Sequence, residues 1–266
     1  MPVGTFLSGG IDSSAVTALL SESGRRPATF SVCFAEAGYD ESAFSRAVAR
    51  RFQADHTEIR LSEAEILDMI PDAVARLDQP SSDGVNTYLV SRAVRSRGIK
   101  VALSGLGAYE IFGGYPSFRR LKRYGRALSN LRRVPPILRT AVSRAISPAG
   151  TFSAPSAKIS GILRSGGRPF DAYLTFRQLF SSDQRSALLS DKLRARLPNP
   201  SEPYESWRSR NGFSPEGLLA QVSLWETGTY MHDVLLRDTD QMSMSHALEV
   251  RVPYLDHPLA EYVVSL

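Results

Sequence analysis

Apolar positions along the first part of the chain follow two rhythms. Short apolar runs at Val3–Leu7, Thr29–Phe34, Thr57–Leu61 and Lys100–Leu103 read as buried strands. Between them, apolar residues recur every three or four positions, the spacing of one helix face. Ser13–Ser21 predicts the start of a helix with Ala15, Val16, Leu19 and Leu20 on one side, and Glu41–Phe52 predicts another that buries Ala43, Phe44, Ala47 and Val48. Ser62 followed by Glu65 spells a capping box for a third helix, and Val85–Ser96 predicts a fourth after the turn at Pro80. Strands alternating with helices predict an α/β fold, a doubly wound parallel sheet. Such sheets bind ligands beyond the carboxyl ends of their strands, where the strand order reverses.

From Pro116 to about Pro215 the texture changes. Strand signals stop, and Pro135, Pro136, Pro148, Pro155, Pro169, Pro198, Pro200 and Pro203 punctuate short helical pieces. This predicts a helical insertion on the sheet domain, with a mobile loop near Ser147–Gly167. Leu218–Leu236 predicts one stronger helix leading into the closing segment Asp238–Leu266, and no internal repeat is evident. The last residues fall inside an apolar helical pattern without a cap, so the end reads as severed.

Charge changes the picture in one region. The 266 residues carry a net charge of +5, with no Asp or Glu between Ile111 and Phe170. Arg119, Arg120, Lys122, Arg123, Arg126, Arg132, Arg133, Arg139 and Arg144 crowd the first half of that stretch. A solvated helical face and a contact with a polyanion both fit. Few aromatics interleave the run and no nucleic-acid module is recognisable, which argues against nucleic acid. No apolar run approaches the roughly 20 residues that span a bilayer, so no membrane partner is expected. A single cysteine, Cys33, excludes an internal disulfide framework and a cysteine-built metal site. A cytoplasmic, reducing compartment is the plain reading.

The chemistry concentrates in Phe6-Leu7-Ser8-Gly9-Gly10-Ile11-Asp12-Ser13-Ser14, which follows a strand and opens a helix. Two glycines let backbone N–H groups approach a ligand closely, and the helix start adds partial positive charge. Ser8, Ser13 and Ser14 supply hydroxyl donors for phosphate oxygens. Asp12 repels phosphate by itself, and makes sense beside an anion nest when Mg²⁺ bridges the two. Alone, SGG reads as a tight turn with a helix-capping Asp or Ser; SGGxDSS between strand and helix reads as phosphate binding. It is not a Walker A loop, which needs a lysine, nor a G-x-S-x-G nucleophile elbow.

SGGIDSS resembles the pyrophosphate loop of the ATP pyrophosphatase families, which cleave ATP between the α and β phosphates. Two further segments narrow the resemblance. Ser104-Gly105-Leu106-Gly107-Ala108-Tyr109-Glu110-Ile111-Phe112-Gly113-Gly114-Tyr115 is similar to the asparagine synthetase stretch SGxGxDExFGGY. Ser243-Met244-Ser245-His246-Ala247-Leu248-Glu249-Val250-Arg251-Val252-Pro253-Tyr254-Leu255-Asp256 is similar to SMAHxLEVRVPFLD. The stretches Ser31–Phe34 through Tyr39-Asp40-Glu41, and Leu77-Asp78-Gln79-Pro80, also fit. The matches cover nearly all of the chain outside Phe118–Pro215.

The resemblance implies an adenine nucleotide α-hydrolase-like sheet domain over residues 1–266, with the helical insertion at about 116–215. It implies ATP and Mg²⁺, an aspartate β-carboxylate activated as an acyl-adenylate, and ammonia as the attacking nucleophile. Ser8, Gly9, Gly10, Ser13 and Ser14 would hold pyrophosphate, Leu7, Val32, Ser104 and Gly105 would surround the adenosine, and Asp12 would hold Mg²⁺. Glu110 remains a candidate for the metal shell. Glu249 and Arg251, two apart, form either a buried pair bracing the site or a plain structural ion pair. A homodimer stays open.

Departures from the pattern carry consequences. Tyr109 stands where the family places an aspartate serving Mg²⁺ and pyrophosphate, and Leu106 where several members carry an acid. A phenol with a pKa of about 10 is neutral at pH 7 and supplies no such charge. Pro2–Leu7 looks like the middle of the family's inter-domain junction, so its glutaminase domain is expected to be absent, as is a catalytic lysine that follows VPFLD. An impaired amide synthetase is therefore expected. The rivals are an amide-forming relative acting on another carboxylate (a peptide cyclase or β-lactam synthetase-like enzyme), a nucleotide-binding pseudoenzyme or fragment, and a nucleic-acid-modifying relative. Cys33 reads as a small core residue and His56 as a satisfied structural histidine; His232, His246 and His257 lack metal-site spacing.

Overall fold

The computed structural model describes residues 3–33, 41–81, 83–147, 154–197 and 217–266. These form two compact units, one of residues 1–112 with 226–266 and one of residues 113–225. Phe34, Tyr39 and Asp40, which the sequence places at a strand end and in a matched stretch, lie outside the described residues, as do Pro148, Pro198, Pro200 and Pro203.

The first unit is built on a five-stranded, all-parallel sheet in the order β3-β2-β1-β4-β5. Its strands are β1 (Val3–Phe6), β2 (Ala28–Cys33), β3 (Asp55–Arg60), β4 (Val101–Leu103) and β5 (Glu249–Arg251). The expected doubly wound α/β fold is confirmed. Thr5 pairs with Thr29 on one side and with Leu103 on the other, so β1 is central. The chain steps outward from β1 to β3 and then returns across β1 to β4. Because parallel crossovers are right-handed, this reversal sends successive helices to opposite faces and opens a crevice between β1 and β4. The short β5 was not legible in advance, since three residues alternating charged, apolar and charged give no strand pattern.

The connecting helices are α1 (Ile11–Glu22), α2 (Ser42–Arg51), α3 (Glu63–Ala75) and α4 (Gly84–Arg95). The capping box forms as expected, with Glu65 N–H donating to Ser62 Oγ and Ser62 N–H donating to Glu65 Oε2. The buried faces of α1 and α2 correct the sequence reading. In α1, Ser13, Val16 and Thr17 are buried while Leu19 is 66% exposed; in α2, Ser42, Ser45 and Ala49 are buried while Phe44 is 66% exposed. Close packing decides this outcome. A Cβ on Gly9 would sit 2.6 Å from the Ser45 backbone nitrogen, so only small residues fit where the loop meets α2. The sheet core collects Phe30, Ile59, Ala93, Val94, Ile99, Ala102 and Leu248, and Met69, Ala73, Tyr88, Leu89 and Met242 form a second cluster.

The expected single helix Leu218–Leu236 is instead an α-helix, Leu218–Glu226, followed by ten residues of π-helix, Thr227–Leu236. That wider winding buries Thr229 and Met231 and lets Tyr230 donate to Asp83 Oδ2 at 2.9 Å.

The second unit shows no strand among its described residues. Phe118, Leu121, Leu128, Phe170, Tyr173, Val222 and Trp225 make its core, with Phe170 and Trp225 edge-to-face at 5.2 Å. The helix Pro116–Leu131 buries Phe118, Leu121 and Leu128, and leaves Arg119, Arg120, Lys122, Arg123 and Arg126 exposed. The mobile loop expected near Ser147–Gly167 is corrected over Ala154–Arg164, which is helix. Gly161 permits that helix to approach the next, since a Cβ there would meet Thr175 Cγ2 at 2.6 Å. Lys158 donates to the carbonyls of Thr175, Phe176 and Gln178, closing the end of the helix Pro169–Arg177.

Candidate active site

The loop after β1 carries the first motif. Leu7 is buried and its N–H donates to the Phe30 carbonyl at 2.8 Å, which fixes where the strand ends. Gly9 then turns with φ +84°, a left-handed conformation that admits glycine cheaply. The loop is cross-braced by its own hydroxyls. Ser8 N–H donates to Ser13 Oγ at 3.2 Å, Gly10 N–H donates to Ser8 Oγ at 3.2 Å, and Ser14 Oγ donates to the Gly10 carbonyl at 2.7 Å. A Cβ on Gly10 would meet nothing closer than Ser8 Oγ at 3.4 Å, so this position is open.

The second motif follows β4, the neighbouring strand across the crevice. A Cβ on Gly105 would lie 3.1 Å from the Ser13 backbone nitrogen and 3.2 Å from Asp12 Cβ, so the two loops touch backbone to backbone. Ser104 is buried, and its N–H donates to the Arg251 carbonyl at 2.9 Å. The third motif closes the arrangement from the far side of β4. Gly107 (φ +95°) receives the turn Pro253–Leu255, with Leu255 Cγ only 2.7 Å from where a Cβ would be. Tyr254 donates its hydroxyl to the Asp12 carbonyl at 3.0 Å. Three segments far apart in the chain therefore interlock at the carboxyl ends of β1, β4 and β5.

The remaining site candidates divide. Val32 lies near the end of β2, in register with Ile59. Glu110 is 1% exposed in the short helix α5 (Ala108–Phe112), whereas Tyr109 beside it is 50% exposed. Glu249 and Arg251 do pair, at 2.8 Å, but both side chains are more than half exposed. The buried form of that pair is corrected. Residues two apart on a strand share a face, and β5 is the sheet's edge strand, so water reaches both. The Leu77–Pro80 stretch is tied in through Gln79, whose Oε1 accepts from Arg237 Nη1 at 2.8 Å. Arg237 also holds the buried Asp238 at 3.0 Å.

Electrostatics single out Asp12. Burial pushes its carboxyl above the ordinary carboxylate range, and among the described residues its oxygens have no hydrogen bond or ion pair. Burial also raises the Tyr254 phenol, with Asp12 adding to the effect, so the phenol is protonated and donating at pH 7. A lone, uncompensated carboxylate beside a backbone nest fits Mg²⁺, which typically takes one or two protein carboxylates and completes its shell with phosphate oxygens. No cluster of three or more His, Cys, Asp or Glu that could hold a metal exists among the described residues. His56 is engaged at both ring nitrogens, with Thr29 Oγ1 at 2.9 Å and Ser31 Oγ at 3.3 Å, and Cys33 is buried. Sequence reasoning missed Tyr254 as a site residue, although the third motif contained it; nothing local announces a tether to residue 12.

A parallel sheet with a two-glycine loop at its switch point, meeting a second glycine loop from the adjacent strand, defines an α/β domain of the ATP pyrophosphatase type. The family model for asparagine synthase matches residues 1–266, and the chain belongs to that family. It is 30% identical, over 96% of its length, to asparagine synthetase [glutamine-hydrolyzing] 1 of Bacillus subtilis, covering 39% of that protein. It is 28% identical to asparagine synthetase [glutamine-hydrolyzing] 3 of the same organism, over 99% of this chain and 39% of the relative. It is also 28% identical to amidase chry2 of Gibberella zeae, over 99% of this chain and 42% of that protein. The chain thus spans about two-fifths of the length of these relatives. No helix among the described residues is long and apolar enough to cross a membrane.

Proposed function

We propose that this domain is an ATP-dependent, AMP-forming amide synthetase, a carbon–nitrogen ligase of the asparagine synthase type. The observation that carries the reading is the contact of the Gly105 loop with the Asp12–Ser13 backbone at the switch point, with Tyr254 bonded to Asp12 from the third motif. The first turn of α1 together with the hydroxyls of Ser8, Ser13 and Ser14 suits the leaving pyrophosphate, because preorganised donors stabilise charge as it builds. Leu7, Val32, Ser104 and Gly105, at or near the ends of β1, β2 and β4, are assigned to surround the adenosine. Asp12 is the residue suited to Mg²⁺, which when bound would neutralise phosphate charge. In this reading a carboxylate oxygen, aspartate's β-carboxylate by family likeness, joins the α-phosphorus as the bond to pyrophosphate breaks. Ammonia then displaces AMP to leave the amide. The buried Glu110 is assigned to bracing the second motif, Glu249 and Arg251 to an exposed ion pair on the edge strand that leads into the third, and a cytoplasmic setting supplies ATP.

One observation favours a second reading, a nucleotide-binding pseudoenzyme or an enzyme with weakened chemistry. Tyr109 places a half-exposed phenol where the family motif has a carboxylate. The test is ATP–pyrophosphate exchange across a panel of carboxylates. Aspartate-dependent exchange is the expected result. Exchange with a different carboxylate reassigns the acceptor, and ATP binding without any exchange establishes the pseudoenzyme.

A further inference from the structure

A cleft of about 980 Å³ opens at the end of the sheet where the strands begin. It is separated from the phosphate loop by the length of β2, roughly 20 Å for a six-residue strand. Its walls come from the end of α1, the end of α2 and the start of β3. Five arginines line it, Arg25, Arg26, Arg46, Arg50 and Arg51, with Asp55 as the single acidic residue among the lining. Arg46 is neutralised by Glu58, at 2.9 Å, and Arg26 Nε donates to the Gln53 carbonyl at 3.2 Å. The guanidinium groups of Arg25, Arg50 and Arg51 have no hydrogen bond or ion pair among the described residues. With Arg46 and Glu58 set aside, four arginines and one aspartate remain in the lining, a surplus of three positive charges.

Helix ends explain part of this. Arg50 and Arg51 lie in the last turn of α2, where the exposed carbonyls favour cations. That effect does not account for Arg25 and Arg26, which converge on the same hollow from the loop between α1 and β2. Like charges gathered in a concave site repel one another, and focus the field on whatever anion enters. Guanidinium forks match phosphate oxygens in pairs, which lysines would not do. The arginines come from two segments that meet around one hollow, the α1–β2 loop and the end of α2, rather than from a row along one helix face, so the site suits a small polyanion better than an extended one. His56 also lines it, but Thr29 and Ser31 already engage its ring, which leaves the arginines as the recognising groups.

We propose that this cleft binds the polyphosphate group of a small molecule, a diphosphate or triphosphate, at a site separate from the phosphate loop. Calorimetry with sodium tripolyphosphate tests it. Gly10→Asp puts a carboxylate into the loop with room for its Cβ, removing the loop as a phosphate site. In that background tripolyphosphate is expected to bind with one equivalent, and adding Arg25→Ser with Arg51→Ser is expected to weaken binding at least tenfold. Circular dichroism checks the fold of each variant. Arg50→Lys, which keeps the charge and loses the fork, serves as an independent variant and is expected to weaken binding severalfold. Complete loss of binding in Gly10→Asp alone would overturn the proposal, as would unchanged affinity in the arginine variants. Displacement of tripolyphosphate by duplex DNA at a lower phosphate concentration would also overturn it, in favour of a nucleic-acid backbone.

Discussion

The hydroxyl of Tyr254 donates a 3.0 Å hydrogen bond to the backbone carbonyl of Asp12, joining residues 242 positions apart. This bond leaves the Asp12 side chain unrestrained while fixing the backbone that carries it. It also ties the third motif to the first across the intervening strand β4. Tyr254→Phe keeps the ring, including its edge contact with Phe112 at 6.1 Å, and removes only the donor. The expected cost is about 1 kcal/mol of stability, read from denaturant unfolding. Affinity for ATP with Mg²⁺ is expected to fall severalfold by calorimetry, and unchanged affinity would show that the tether does not position the loop.

Gly9 and Gly10 are adjacent but make opposite demands. Gly9 has φ +84° and a Cβ there would meet Phe44 Cβ at 2.5 Å, whereas Gly10 has φ −68° and free space. Gly9→Ala is expected to destabilise the domain by about 2 kcal/mol or more. Gly10→Ala should melt within a few degrees of the parent and yet bind ATP more weakly, because its methyl group obstructs close approach to the backbone N–H groups. Thermal melts alongside nucleotide titrations separate the two effects.

Asp12→Ala removes the uncompensated carboxylate, while Cys33→Ala changes a buried core residue at the end of β2. The first is expected to lower Mg²⁺-dependent ATP affinity more than the second. Equal affinities would remove Asp12 from the metal assignment.

Tyr109 is half exposed, so Tyr109→Asp should change stability by less than about 0.5 kcal/mol. If the phenol is what weakens the site, the added carboxylate is expected to raise pyrophosphate release with aspartate by about a hundredfold, near 3 kcal/mol of transition-state stabilisation. Equal rates for the parent and Tyr109→Asp would mean that Glu110 or another carboxylate already supplies the charge.

His56 sets a pH dependence of stability. Burial lowers its pKa below the ordinary histidine value, outweighing Glu58, which raises it, and Arg46, which lowers it further. The unfolded chain therefore binds a proton more readily than the folded one. Stability is expected to rise with pH through the window between the folded pKa and about 6.5, and to fall on acidification through it. His56→Gln should flatten that slope in melts between about pH 5 and 7. His246 is shifted the same way by burial, Arg92 and Arg76, so the slope in His56→Gln is reduced rather than abolished.

The sheet was legible because its signal is local. Apolar runs such as Thr29–Phe34 and the capping box at Ser62 and Glu65 depend on neighbours in the chain, and periodicity reports them directly. The phosphate loop was legible for the same reason, as two glycines and three serines between a strand and a helix constrain their own backbone. Which helix faces turn inward was decided elsewhere. Leu19 and Phe44 read as core by spacing, yet Ser13, Thr17, Ser42 and Ser45 took the inner face because the loop and strands approach too closely for large side chains. The short β5 and the π-winding over Thr227–Leu236 are likewise settled by partners distant in the chain, namely β4 and Asp83. The site itself is the clearest case. Its three motifs are visible separately in the sequence, but the contacts of Gly105 with Ser13, Gly107 with Leu255 and Tyr254 with Asp12 exist only once parallel strands set their carboxyl ends side by side, because no local pattern encodes a neighbour 242 residues away.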